Sequence, residues 1–299
     1  MLRRVALLFG AVVFLTAGLA ACEPSGEYDV AVFGDVPYST GDFGRYDNMI
    51  RAINNDNSLV FSAHLGDIGP PESSTCTNTW VDRETVRFDS LSRPLVYTPG
   101  DNEWTDCSDQ LARLTYLRSR IFRSTGTQSR GASTMALTSE SSRGYPENAR
   151  WTRGPVTFAS LHVVGSRDNY SHQSEFAPRR AATIDWVNDT FDLARDQGKE
   201  GVVLLAQADP NLDQQASEKG RIAYQSMFDA VVSQTAFFDG EVVFIHGDGH
   251  TYKNQRPIAG RPNLRRVEVE GDTKISFVRV HVEPGAGTDL FTVTKSQAF

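Results

Sequence analysis

Apolar and polar positions along the 299-residue chain follow two rhythms. Short apolar runs at 28–33, 59–65, 95–98, 156–164, 202–206 and 242–245 read as buried strands, each closed by a turn former or a polar residue. Between them runs a helical rhythm. Residues 44–55 place Tyr46, Met49, Ile50 and Ile53 on one face, and 177–197 keep Ile184, Val187, Phe191 and Ala194 in register. Residues 110–123 read as a basic helix and 216–237 as mostly helical. The segment 124–150, rich in Ser, Thr, Gly and Arg, carries neither rhythm and reads as a long loop or lid. From 265 to 294 apolar and polar residues alternate, as antiparallel strands require. Strand–helix alternation without a repeat or Pro/Gly linker predicts one α/β domain over 28–299.

The first residues follow a different pattern. Arg3 and Arg4 precede an uncharged run over 5–20, and Leu19-Ala20-Ala21-Cys22 follows. A basic start, a short apolar stretch and small residues before a cut describe a secretory signal; the run is short for a membrane span. Its ending resembles the bacterial lipobox. That implies a signal peptide over 1–21, a lipid on Cys22 and a tether over 22–27. It implies an exported, membrane-anchored bacterial lipoprotein on the periplasmic or outer-membrane side, Glu23 not being the Asp linked to inner-membrane retention. Export bears on the two remaining cysteines. Cys76 and Cys107 are an even pair in an oxidising compartment, either bonded across about 30 residues or two buried free thiols. No CxxC or Cys/His spacing suggests a zinc site.

Thirty Lys and Arg against 37 Asp and Glu give a formal charge of −7, and losing the signal segment removes two Arg and no acid. The acidic balance argues against nucleic acid or an anionic membrane surface as main partner. Some acids have an address. Four times an apolar strand stops at a Gly followed by an Asp: Gly34-Asp35, Gly66-Asp67, Gly100-Asp101 and Gly247-Asp248, the last with His250 close behind. Ligands of open α/β sheets bind outside the carboxyl ends of strands. Four acids on one rim would repel one another unless a cation joined them. Oxygen-rich sites with a His suit Mg, Mn, Fe or Zn.

The order of these blocks resembles the calcineurin-like metallophosphoesterases, whose pattern is DxH, GDxx, GNH(D/E), a lone His, then GHxH. The resemblance spans about 35–250, and the run GDNEWTDC is similar to a bacterial branch of that family. It implies a four-layer α-β-β-α sandwich of mixed sheets. Asp35, Asp67 and His250 would hold one divalent metal; Asp67 would bridge to a second held by Asp101, Gln207 and Asp248. The sequence departs from the pattern. The His of the first block is Pro37, the GNH block reads Asp101-Asn102, the lone His is Gln207, and the first His of GHxH is Asp248. Oxygen-dominated ligation favours Mn or Mg. The implied reaction is hydrolysis of a phosphate mono- or diester by a metal-activated water, with Asn102 and His250 as catalytic residues. Asn102 can donate a hydrogen bond but cannot transfer a proton, so His64, His162, His172 and His246 are candidate proton donors. Arg residues clustered between 110 and 155 suggest capture of an anionic, phosphorylated small molecule. The alternative is a binding lipoprotein that keeps the scaffold without turnover.

Overall fold

The computed structural model describes residues 26–299; the expected signal peptide and Cys22 lie outside the described residues. The strands are β1 (Tyr28–Phe33), β2 (Leu59–His64), β3 (Leu95–Tyr97), β4 (Thr138–Glu140), β5 (Tyr145–Arg153), β6 (Val156–Ser160), β7 (Gly201–Leu205), β8 (Glu241–His246), β9 (Lys253–Gln255), β10 (Leu264–Glu268), β11 (Val278–Val282) and β12 (Phe291–Lys295). The helices are α1 (Phe43–Asn55), α2 (Asn78–Asp89), α3 (Gln110–Arg120), the single turn α4 (Gly165–Asp168), α5 (Gln173–Asp196), α6 (Lys219–Ile222) and α7 (Gln225–Thr235). Two mixed sheets form, in the orders β12-β11-β1-β2-β3 and β4-β5-β6-β7-β8-β10-β9.

The apolar strands are buried on both faces, which explains why they read as continuous runs. Along β1, Val30 and Val32 point between the sheets, where they meet Val203, Ile245 and Val267 of the second sheet. Ala31 and Phe33 point the other way, onto Tyr46, Met49 and Ile53 of α1. Outside the second sheet, Trp186, Val187 and Phe191 of α5 and Met227 and Phe228 of α7 cover Val202, Leu204 and Phe244. The layers are therefore helix, sheet, sheet, helix, as the motif order implied. No helix among the described residues is long and apolar enough to cross a membrane.

Two readings of the sequence are corrected. Residues 124–150 are not a lid: they build β4 and much of β5 at the edge of the second sheet. Their arginines, and those of α3, mostly have internal partners. Arg118 pairs with Glu147, Arg130 with Asp89 and Arg143 with Glu140, while Arg150 lies over the Trp186 ring. Helix α2 was not expected. Its buried face is Trp80, Val81, Glu84, Thr85 and Phe88, and the polar pair at 84–85 breaks the apolar period that would have revealed it.

Cys76 and Cys107 form a disulfide, with Cα atoms 5.7 Å apart across 31 residues. Its sulfurs lie 4.0 and 3.6 Å from the Asn102 carbonyl oxygen, so the bond braces the loop carrying the GDNEW run. Replacing both cysteines by serine should cost about 3–4 kcal/mol. The check is a lower denaturant midpoint, with a slope that rises as the unlinked unfolded chain expands; an unmoved midpoint would show that the loop needs no brace.

Candidate metal centre

Parallel register brings the strand ends level. Phe33 lies opposite His64 and His64 opposite Tyr97 in one sheet; Ser160 lies opposite Leu205 and Leu205 opposite Ile245 in the other. The loops leaving these ends meet on one rim. There the Thr98 hydroxyl donates to Leu161 O across the two sheets (3.0 Å), and Gly247 N donates to Gln207 O (2.9 Å). Asp35, Asp67, Asp101, Asn102, Gln207, Asp248 and His250 all arrive at this rim.

The backbone there adopts a conformation that L residues seldom take. Asp35, Asp67, Asp248 and His250 have φ of 54°, 53°, 73° and 54°. Non-glycine residues with positive φ are uncommon, and such strain persists only where the surroundings fix it. Close approach is equally demanding: a Cβ on Gly100 would run into the Asp67 carboxylate, which accounts for the glycine before Asp101.

Asp248 N donates to both carboxylate oxygens of Asp35 (3.2 Å each), and His250 Nε2 stands 3.7 Å from Asp35 Oδ1. Asp67 Oδ1 accepts from Asn102 N (3.2 Å) and Oδ2 from the Tyr38 hydroxyl (2.8 Å). Asp101 Oδ2 accepts from the Ser166 hydroxyl (2.8 Å), whereas its Oδ1 is buried without a partner. Asp248 Oδ2 accepts from Asp209 N (3.1 Å). Gln207 turns Oε1 to Gly165 N (2.5 Å), leaving Nε2 buried and unpartnered.

The electrostatics set these acids apart. Asp35, Asp67 and Asp101 are buried, and none has a Lys or Arg partner among the described residues. Glu103, directly behind them, has none either. Every other buried acid among the described residues has a basic partner, for example Asp29 with Arg279, Glu147 with Arg118 and Asp168 with Arg179. Burial accordingly pushes the carboxyl of Asp35 up, and that of Asp67 well up, Asp101 and Glu103 adding to the latter. Asp101 is pushed up to about 6 by burial and Asp106. Asp248, partly exposed at the mouth, rises to about 8 through lost solvation and the charges of Asp101 and Asp35. His250 is raised by the neighbouring carboxylate of Asp35. An orphaned buried oxygen and a group of carboxylates without a counter-charge fit divalent cations.

A second group provides the contrast. Asp209, His246 and Glu268 can bring one ligand atom each within 4.8 Å of one another. Here the protein supplies its own cations. Arg266, fully buried, donates to His246 Nε2 (2.8 Å) and Asp209 Oδ1 (2.6 Å), and Lys253 pairs with Glu268 (2.8 Å). A metal would have to displace both, so this trio is the weaker candidate.

The four histidines considered as proton donors lie elsewhere. His64 is enclosed between Val36 O and Gly66 N, and burial lowers it to about 3. His162 is held by Glu147 (2.7 Å), His246 is bonded to Arg266 and Gly247 O, and His172 is exposed beside Asn169. None hydrogen-bonds to the four acids. Asn102 spends both amide protons inside the protein, on Tyr38 Oη (3.1 Å) and Gly69 O (2.9 Å).

Tyr38, which belongs to none of the ligand blocks, stands at the centre. Its hydroxyl contacts Asp67 Oδ2, Asn102 Nδ2 and, at 3.2 Å, His250 Nε2, so residues from three loops meet on one oxygen. Burial, with Asp67 and Asp35 adding to it, keeps the phenol protonated. Its one signal was position, three residues after Asp35 in the same loop.

No family model matches the chain, and no curated protein matches it. Solved structures do. The chain is similar to GAP50, the anchor in the inner membrane complex of Plasmodium, at a TM-score of 0.51 and 10% identity over 92% of this chain and 90% of that one. It is also similar to a 5'-nucleotidase from Candida albicans at a TM-score of 0.51 and 8% identity, over 91% of this chain and 51% of that one. At these identities the likeness is one of fold: a layered α/β sandwich of two mixed sheets.

Proposed function

We propose that this chain is a metal-dependent hydrolase of phosphate mono- or diesters, acting outside the cytoplasm on a phosphorylated small molecule. The observation that carries the reading is the group of buried carboxylates at one rim that, alone among the buried acids described, have no Lys or Arg to balance them. Asp35, Asp67 and His250 would hold one cation. Asp67, Asp101 and Asp248 would hold a second, with Gln207 joining only if its amide turns Oε1 from Gly165 N toward the site. Oxygen donors predominate, which suits Mn or Mg. When bound, such a cation supplies a Lewis acid that draws charge from phosphoryl oxygens and lowers the pKa of water.

The chain's own residues do the rest. Asn102 N and Tyr38 Oη fix both oxygens of Asp67, and Asp248 N fixes Asp35, so the acids are oriented before substrate arrives. Neither proton of the Asn102 amide is free for a leaving group. Loss of a general acid is worth about 10²–10⁴ in rate, so aryl phosphates should be cleaved faster than alkyl phosphates by a factor in that range. The assay is release of p-nitrophenol from its phosphate mono- and bis-ester, against an alkyl phosphate, with Mn or Mg added to metal-stripped protein. If the metal-loaded protein cleaves none of them, the reading is wrong.

That outcome would favour binding without turnover, which the engaged Asn102 amide also supports. The fold does not decide between the two, since GAP50 is named as an anchor and the 5'-nucleotidase as an enzyme. Export and a lipid on Cys22 complete the proposal, and the disulfide suits an oxidising compartment.

A further inference from the structure

We propose that Gly165 and Ser166, on a left-handed turn outside the five ligand blocks, complete the second cation site by setting the carboxylate of Asp101; this rests on the metal-dependent reading above. Ser166 Oγ donates to Asp101 Oδ2 at 2.8 Å, and Asp101 Oδ1 is left buried and unpartnered. A hydrogen bond to one carboxylate oxygen fixes the rotation of the group and aims the other at a ligand. Gly165 keeps the gap open. A Cβ there would come within 2.5 Å of Asp101 Oδ1 and 2.7 Å of Asp248 Oδ1, so any side chain would be driven between the two acids.

The turn itself is costly. Ser166, Arg167, Asp168 and Asn169 have φ of 47°, 60°, 54° and 58°. L residues visit this region singly, not four in succession. Two buried arginines of α5 hold it from behind. Arg179 donates to Asp168 Oδ1 (2.7 Å), to Asp168 O (2.9 Å) and to His162 O (3.0 Å), and Arg180 pairs with the other oxygen of Asp168. Val164 N also donates to Asp168 Oδ1 (3.0 Å). The clamp is fully buried, yet the residue it presents, Ser166, is exposed at the rim beside Asp101. Strain held this firmly marks a place where position matters. Asp168 and Arg179 are thus positioning residues for Ser166, and Ser166 for Asp101.

The test is calorimetric titration of the metal-stripped full chain with MnCl2, with electron paramagnetic resonance to tell a coupled Mn pair from isolated ions. Ser166→Gly removes the hydroxyl while tolerating the positive φ. The first Mn equivalent should bind as in the parent, the second about 10–100-fold more weakly, the coupled signal should fade, and the metal-free melting temperature should hold. Asp168→Asn, which loosens the clamp, should weaken the same equivalent. If Ser166→Gly binds both ions like the parent, or loses both together with its stability, the inference is overturned. A parent that binds one ion overturns it too but leaves the metal-dependent reading standing; a parent that binds none removes that reading itself.

Discussion

An Asp67→Asn protein should lose phosphoester hydrolysis by at least about 10³-fold and, stripped of metal, should melt at a higher temperature than its parent. Both effects have one cause. Asp67 is buried near Asp101, Glu103, Asp35 and Asp248 with no basic side chain against it, and its carboxyl is pushed well above the ordinary range. A carboxyl raised by folding stabilises the fold below its unfolded pKa, and that contribution is lost as pH rises through the folded value. Asp101, raised to about 6, and Asp248, raised to about 8, act in the same direction. The metal-free parent should therefore lose stability from about pH 4 to pH 8. Asparagine removes one of the charges that cause the loss. It keeps an oxygen for Asn102 N, and the Tyr38 hydroxyl can accept from the new amide instead of donating. Adding Mn should invert the order, because the parent gains more from binding than the variant does. Melting temperatures at pH 5 and pH 8, with chelator and with MnCl2, make the comparison. A variant less stable than the parent in the chelated state would mean that Asp67 is structurally satisfied and no cation is missing.

What could be read from the sequence was what repeats. Apolar runs followed by Gly-Asp occur four times, and register then delivers all four acids to one rim. The backbone strain at Asp35, Asp67 and Asp248 could not be read, because Asp is also the commonest choice for ordinary turns. Tyr38 and Ser166 were missed because a lone hydroxyl carries no charge pattern and lies in none of the five ligand blocks. The arginines between 110 and 155 misled in the opposite sense: they looked like an anion-binding lid, but their partners, such as Glu147 and Asp89, are distant in sequence. Helix α2 shows the same limit, since Glu84 looks like a surface residue until Arg87, one turn on, is seen to neutralise it inside. Patterning reveals periodicity; it does not reveal which buried charge finds a partner, and here that is what separates structure from site.

Glu103 brings this distinction to a test. It is fully buried, and Oε1 accepts from Gly100 N (2.7 Å), Asp67 N (3.2 Å) and the Tyr97 hydroxyl, tying two of the metal-centre loops to the sheet beneath. Its Oε2 has no partner, and burial raises the carboxyl to about 7. Glu103→Ala would strand three buried donors and leave a void, and should cost about 3–5 kcal/mol. Glu103→Gln keeps an accepting oxygen at the same place and removes the charge, so it should stay folded. The sign of its effect depends on pH. The parent has the stability of a protonated Glu103 below about pH 4.5 and loses it as pH rises through about 7; the glutamine variant has no such loss. Parent and variant should therefore diverge between pH 5 and 8 in metal-free thermal melts, the variant becoming the more stable at the upper end. Bound Mn should narrow that gap, since a cation near Asp67 also relieves Glu103. A gap of the same size with and without metal would place Glu103 outside the electrostatics of the centre and leave it only the task of holding the two loops.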